Sequence, residues 1–454
     1  MEKELLFNHI YIFHSFVFLL YGINVFIHCE AWNYFIGMLT LLMLLVSLPE
    51  ATRTFKILAS SFIVIGTIGY MESGQSLIET PAFVTSNLPI LSLLSILPLM
   101  SSVVHIGRYD RTLKNLLNLH SNHMGGLYVR SAILTIVLSA FLNLSALTIS
   151  QEVLKNKLRF VDKDVRDSFI RNVTIRAYTL ALLWSPLEML LAMSLLITNV
   201  SYDSVLIYLL LITLIAFLID TLWGNIRYRK YSFEFPLERV VHKKQLKGKI
   251  IELFVAITLF LALIILIGRL LNLNFIFTVT LLIPFFSLSW ASIIGRKRSF
   301  LISGWVSWKK ETNNMQNFIL LFISLSYFSN GISGSSVTNY IQDAVLEATD
   351  YPLLIFLFIQ IIFIVLSVLG VHPVATIGIF SSLVLALEET VNPTSLALVI
   401  IAGAISTVAV GTFNLVVQLT SRNTQQSPFR ITLSNLPYAM LLCVLGILFA
   451  YLLL

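Results

Sequence analysis

Leu138-Ser139-Ala140-Phe141-Leu142-Asn143-Leu144-Ser145-Ala146-Leu147-Thr148-Ile149 lies within an apolar stretch, residues 128–155, that runs into Lys155, Lys157, Arg159, Lys163, Arg166, Arg171 and Arg176. Read as one crossing of a membrane, this stretch would carry seven cations to the translocated side, where Lys and Arg are depleted. A helical hairpin that dips in and returns keeps them in the cytoplasm. Its irregular tip is tolerable in lipid only if it is buried in protein or lines a wet cavity.

The rest of the chain agrees with that reading. Apolar residues make up 57% and charged residues 12%, against about 45–50% and about 25% for globular domains, which excludes an ordinary soluble protein. Segments such as Val205–Leu222, Leu253–Leu271 and Leu433–Leu454 approach or reach the roughly 20 apolar residues that cross a bilayer as helix. The formal charge of +7 gathers at helix ends, which points to orientation and anionic headgroups on a basic cytoplasmic face rather than to nucleic acid. Cys29 and Cys443 stand alone in apolar surroundings, with no metal-ligand or disulfide spacing. The first apolar run, from Leu5, lacks a small-residue cleavage site and reads as a span rather than a cleaved signal.

The first half reads as spans near residues 6–28, 33–49, 55–71 and 83–104, the hairpin 128–155, and spans near 176–198 and 204–223. Arg53 and Lys56, then Arg108, Arg111, Lys114 and Arg130, mark cytoplasmic loops, whereas Glu72–Pro81 carries no Lys or Arg. A basic linker, 224–249, divides the chain. The second half gives spans near 250–270 and 273–294, the cluster Arg296, Lys297 and Arg298, an interfacial segment 300–308 with Trp305 and Trp308, and a span near 316–333. Gly334–Asp350 is acidic and cation-free, so residues 352–389, which end in Glu388 and Glu389, form a second hairpin, entering from the outside. Spans 394–420 and 433–454 complete the chain. Of thirty Lys and Arg, only Arg269 falls on the wrong side.

The expected fold is therefore all-α and polytopic, an inverted-repeat transporter plan of eleven crossings and two oppositely oriented re-entrant hairpins. Its domains are an extra N-terminal helix (1–32), a first repeat (33–223), the linker (224–249) and a second repeat (250–454). The N-terminus is expected in the cytoplasm and the C-terminus outside, in the inner (plasma) membrane. Placing 138–149 over 366–377 matches Leu, Ser, Thr and Ile at the two ends; Ser185-Pro186 follows Thr148 much as Thr412 follows Thr376. Inverted repeats with discontinuous helices are common in secondary transporters.

Leu138-Ser139-Ala140-Phe141-Leu142-Asn143 resembles the "S-A-F-L-N-N" hairpin of the ion transporter superfamily of arsenite, citrate, dicarboxylate and sodium/proton carriers. Gly370-Val371-His372-Pro373 resembles the corresponding tip in the membrane subunits of tripartite dicarboxylate transporters. The resemblance implies an elevator-type carrier, usually a homodimer, with its site at the hairpin tips and broken spans. The chain departs from the Ser-Asn-Thr tips of sodium/dicarboxylate symporters, and the family's "S/T-P-P-N" break survives only as Ser185-Pro186-Leu187-Glu188 and Gly411-Thr412-Phe413-Asn414. Sodium coupling and dicarboxylate specificity do not follow.

Tips and broken helices expose backbone N–H groups that attract anions. Ser139, Asn143, Ser145, Thr148 and Ser185 from one half, with Thr376, Ser381, Thr412 and Asn414 from the other, are the candidate substrate ligands; each Ser or Thr alone reads equally well as helix–helix glue. Glu188, a carboxylate in an apolar span, and His372, which titrates near neutrality, are the candidate coupling groups, and each also has a plain structural reading as a hydrogen-bonding group. Asn330, Ser333, Ser335 and Ser336 read as loop initiation or a cavity wall, and Asp220 as a helix-end residue. The function expected is secondary active transport of a small organic or inorganic anion, with Na+ or H+ as coupling ion and no other cofactor, metal or catalytic residue. A lipid flippase is the alternative within transport, and a membrane glycosyltransferase the alternative among enzymes.

Overall fold

The computed structural model describes residues 9–74, 76–109, 123–231, 243–333, 335–336, 351–387 and 390–454, and all regular structure among them is helical. The chain forms α1 (Ile10–Ile27), α2 (Glu30–Ser47) and α3 (Arg53–Ser73), a series of single turns over residues 77–87, and α4 (Leu88–Ile106). It continues as α5 (Met124–Leu142), α6 (Leu144–Lys157), α7 (Lys163–Leu182), α8 (Met189–Thr198) and α9 (Tyr202–Tyr228). Next come α10 (Lys243–Leu271), α11 (Phe275–Ile293), α12 (Lys297–Asn313) and α13 (Gln316–Ile332). The last elements are α14 (Pro352–Val368), α15 (Pro373–Leu387), α16 (Pro393–Val410), α17 (Leu415–Thr424) and α18 (Pro428–Tyr451). Arg111, Lys114, Glu388, Glu389, residues 337–350 and the linker centre 232–242 lie outside the described residues.

Local chemistry explains where these helices start and stop. Asp162 accepts from the Asp164 and Val165 amides at 3.0 and 3.2 Å to begin α7, and Asn392 accepts from Thr394 at 2.9 Å, ahead of Pro393, to begin α16. Asn199 and Gln425 adopt left-handed backbone (φ 50° and 55°) that closes α8 and α17.

The first hairpin is present, and the second expected hairpin forms two helices joined by a turn. α5 and α6 are joined through Asn143 alone, and Thr135 Oγ1 on one arm donates to Ser150 Oγ on the other at 3.1 Å. With 14 residues α6 spans only about 21 Å, short of the roughly 30 Å of hydrocarbon. The second stretch turns through Leu369–His372, where Gly370 takes φ 94°, and the helix that follows, α15, has 15 residues, most of them in a different compact unit from α14. Ten helices among the described residues are long and apolar enough to cross a membrane. α5 is one of them by length but doubles back. The expected crossings α7–α8 and α13 are not among the ten, because the first is broken and opens on charges and the second has 17 residues.

Two sequence expectations need correction. The segment 300–308 is the middle of a longer helix, α12, whose Trp305 and Trp308 meet Tyr11 edge-on at 6.4 and 5.5 Å. The span expected from residue 176 begins at Lys163 instead, so Arg171 and Arg176, each 6% exposed, are buried helix residues and not loop cations.

The helices divide into two compact units: unit 1 comprises residues 1–103, 267–350 and 377–390, and unit 2 residues 104–266, 351–376 and 391–454. Each unit draws on both sequence repeats. In unit 1, α3 and α13 approach backbone to backbone at Gly66, Gly69 and Gly331; a Cβ on Gly331 would collide with the Gly66 carbonyl and lie 2.9 Å from the Tyr70 ring. Thr67 and Tyr327 share a 3.0 Å hydrogen bond beside this crossing. Gly331→Leu is expected to lower stability by about 1–3 kcal/mol through overpacking, read as an earlier thermal transition of the detergent-solubilised protein, whereas an unchanged transition would show that the crossing tolerates separation.

Candidate functional site

Unit 2 holds both hairpin tips and both broken spans, and in each repeat the break lies against the tip. In the first repeat, α7 stops at Leu182 and the chain runs through Ser185-Pro186-Leu187-Glu188 before α8. The Ser185 hydroxyl donates to the Ala140 carbonyl at 3.2 Å, three residues before the first tip. In the second, α16 ends at Gly411, where a Cβ would lie 2.7 Å from Ser367 Oγ; a Cβ on Gly370 would lie 2.9 Å from the Phe413 ring. Only glycines let the second tip and its break approach this closely. Hydrogen bonds also join the repeats: Gln151 Nε2 on α6 donates to Thr420 Oγ1 on α17 at 2.7 Å, and Asn423 Nδ2 donates to Gln151 Oε1 at 2.8 Å.

Four helix N-termini result, one beyond each tip and each break. Three are occupied by the chain's own side chains. Glu188 Oε1 accepts from the Leu190 amide at 3.3 Å, His372 Nδ1 from Val374 at 3.3 Å and Asn414 Oδ1 from Val416 at 3.1 Å. The fourth, that of α6, receives no side-chain cap. Asn143, in position to cap it, instead accepts through Oδ1 from the Tyr178 hydroxyl on α7. One turn earlier, Ser139 is 2% exposed and its hydroxyl has no partner among the described residues. Ser145, in the first turn of α6, is exposed. The first tip thus has a helix start without a side-chain cap and, one turn earlier, a hydroxyl with no partner among the described residues.

The other candidates are placed as follows. Thr148 donates to the Ser145 carbonyl at 3.0 Å, which stabilises the first turn of α6. Thr412 pairs with Thr432 of α18 at 3.2 Å, and its carbonyl accepts from Gln418 at 2.7 Å. Thr376 is buried in the first turn of α15. Ser381, further along α15, belongs to unit 1, where it pairs with Ser329 at 2.9 Å. Glu188 and His372 both make backbone-capping bonds. No group of three or more His, Cys, Asp or Glu able to hold a metal ion occurs among the described residues.

Sequence reasoning missed Tyr178, which holds Asn143 away from the α6 terminus. It also missed a buried charge pair in which Arg176 donates to Asp220 Oδ1 at 2.7 Å, while Tyr128 donates to Asp220 Oδ2 at 2.9 Å. The Arg176 guanidinium also reaches Asn435 Oδ1 at 3.2 Å and the Ser434 carbonyl at 3.3 Å, and lies 4.4 Å from the Trp223 ring. Asp220 is thus a buried ion-pair partner, not a helix-end residue. The available signal was depth, since Arg176 lies well inside a helix that begins at Lys163.

No protein-family model matches the chain, and no curated protein sequence matches it. Among solved structures, the fold is similar to the YdaH transporter of Alcanivorax borkumensis, with a TM-score of 0.56, 14% identity and coverage of 91% of this chain and 97% of that one. It is also similar to MtrF of Neisseria gonorrhoeae, described within a class of antimetabolite efflux pumps, with a TM-score of 0.55, 10% identity and coverage of 85% and 83%. At these identities the likeness shows the fold.

Proposed function

We propose that this fold, which it shares with two transporters, moves a small organic or inorganic anion across the membrane by alternating access, as a secondary carrier. The observation that carries the reading is the first tip, where α6 is the one of the four helix N-termini without a side-chain cap and the exposed Ser145 lies in its first turn. A helix N-terminus without a side-chain cap favours negative charge, such as that of a carboxylate or phosphate-like oxygen. Pairing each tip with a broken span from its own repeat supports a site assembled from two mirrored halves, the arrangement expected of inverted-repeat carriers.

Elevator motion, a homodimer, membership of the ion transporter superfamily and placement in the inner membrane with the N-terminus in the cytoplasm belong to the same proposal. Glu188 and His372 serve in it as coupling groups. Protonating Glu188 weakens its bond to the Leu190 amide, so proton occupancy is linked to the geometry of the first break.

The test is uptake of a panel of labelled anions into proteoliposomes under imposed sodium and proton gradients. Gradient-driven accumulation of an anion is the expected result, and no accumulation of any panel member under either gradient overturns it. Glu188→Gln and His372→Gln are expected to alter the pH or sodium dependence of uptake. If both variants keep the parent's profile, neither residue couples.

A further inference from the structure

At one end of unit 2, remote in sequence from the hairpin tips, four cations from three helices line a cleft of about 600 Å³. Arg171 comes from α7, Arg227 and Lys230 from the end of α9 and its following turn, and Arg430 from the first turn of α18. Asp164 is the one carboxylate in the lining, and Ser168 adds a hydroxyl. Four positive charges against one negative leave a local excess of three.

The cations are held by contacts that leave their charge uncompensated. Arg171 is buried and braced by Gln426 Oε1 and, through Nε, by Asn172 Oδ1 at 3.3 Å; both partners are neutral. Arg227 stacks its guanidinium 5.0 Å from the Trp223 ring and 5.9 Å from that of Tyr228, and Lys230 lies 5.2 Å from the Tyr231 ring. Among the described residues, none of these three has a carboxylate within ion-pair distance. Only Arg430 does, at 3.7 Å from Asp164, and both side chains of that pair are largely exposed. Aromatic faces orient a guanidinium and leave its edge N–H groups free to donate. The first turn of α18, which has no side-chain cap, adds a positive helix end.

A basic loop at a membrane surface ordinarily spreads its charge into solvent. Here three helices, whose cations lie as far apart in sequence as Arg171 and Arg430, converge on one concavity. Arginine forks of this kind match the paired oxygens of a phosphate group, and the volume suits a headgroup or a small phosphorylated molecule. We propose that this cleft is a binding site for a phosphate-bearing anion, either the headgroup of an anionic lipid or a free phosphate group. The charge pattern assigns this end of the unit to the cytoplasm. The proposal does not depend on transport, and its test reads binding alone.

The full chain in a neutral detergent is titrated with inorganic phosphate, and the chain in phosphatidylcholine bilayers is compared with the chain in phosphatidylcholine mixed with phosphatidic acid, following heat stability and bound ligand. Saturable binding in the first arm identifies free phosphate as the source, and selective retention of phosphatidic acid in the second identifies the lipid. Arg227→Gln with Arg430→Gln is expected to weaken whichever binding occurs by at least about tenfold, as loss of charge-assisted hydrogen bonds implies. Asp164→Asn removes the one opposing charge and is expected to tighten binding, a gain that misfolding cannot produce. Absence of binding in both arms, or binding unchanged in the arginine variant and in Asp164→Asn, overturns the proposal.

Discussion

Asp220→Asn is expected to destabilise the folded protein by about 3–5 kcal/mol, because it leaves the Arg176 guanidinium buried without its counter-charge. Both side chains are nearly inaccessible, at 8% and 3% exposure, so water cannot replace the lost carboxylate. The damage spreads beyond one bond. Asp220 accepts from Tyr128 on α5 as well as from Arg176 on α7, while Arg176 reaches Ser434 and Asn435 on α18 and the Tyr438 hydroxyl donates to the Arg176 carbonyl at 3.1 Å. Four helices of unit 2 therefore share one charge pair. Replacing both partners by apolar residues, as Arg176→Met with Asp220→Leu, removes the buried charge as well as the attraction and is expected to be far milder than the single change. Denaturant or thermal unfolding in detergent across the cycle measures the coupling. A single Asp220→Asn variant within about 1 kcal/mol of the parent would show that this pair is no stronger than a surface ion pair.

Asn143 yields the second large effect, and here fold and function separate by choice of substitution. Its backbone sits at φ 46°, ψ −129°, a region that costs a residue with a Cβ about 1–3 kcal/mol unless its surroundings fix it there. The Tyr178 bond to its side chain does so. Asn143→Ala keeps the strain and orphans a buried tyrosine hydroxyl, which adds about 1–3 kcal/mol. Asn143→Gly relieves the backbone and loses only the side-chain bond. The glycine variant is thus expected to be more stable than the alanine variant, yet to share its loss of uptake, at least about tenfold if the asparagine orients the tip toward substrate. Uptake in proteoliposomes, normalised to folded protein, decides the matter. Full activity in Asn143→Gly would mean that the tip needs only its backbone shape.

Much of the tip was legible in the chain. Cations following residues 128–155 required a hairpin, and Asn143 and Ser185 were singled out because polar residues and a Pro interrupt apolar helices there. Glu188, His372 and Asn414 were picked out by residue type, and the structure gives all three a capping bond. Sequence gives such a residue's position relative to a helix start but not whether it bonds its own backbone. Arg176 was misread because charge was counted by segment, and a segment count places every cation in a loop if one is nearby. Ser381 was grouped with Thr376 as a hydrogen-bonding residue of the second half, although the boundary between the two compact units passes between them.

The all-helical, membrane-spanning plan and the first hairpin came from the amino-acid order alone, because apolar length and Lys/Arg asymmetry are local quantities that sum along the chain. Which side chains meet was decided only by the tertiary structure: Tyr178 with Asn143 across 35 positions, Arg176 with Asp220 across 44 and with Asn435 across 259. Those meetings depend on how each helix is rotated about its axis against its neighbours, and helices apolar on nearly every face carry little in their composition to set that rotation.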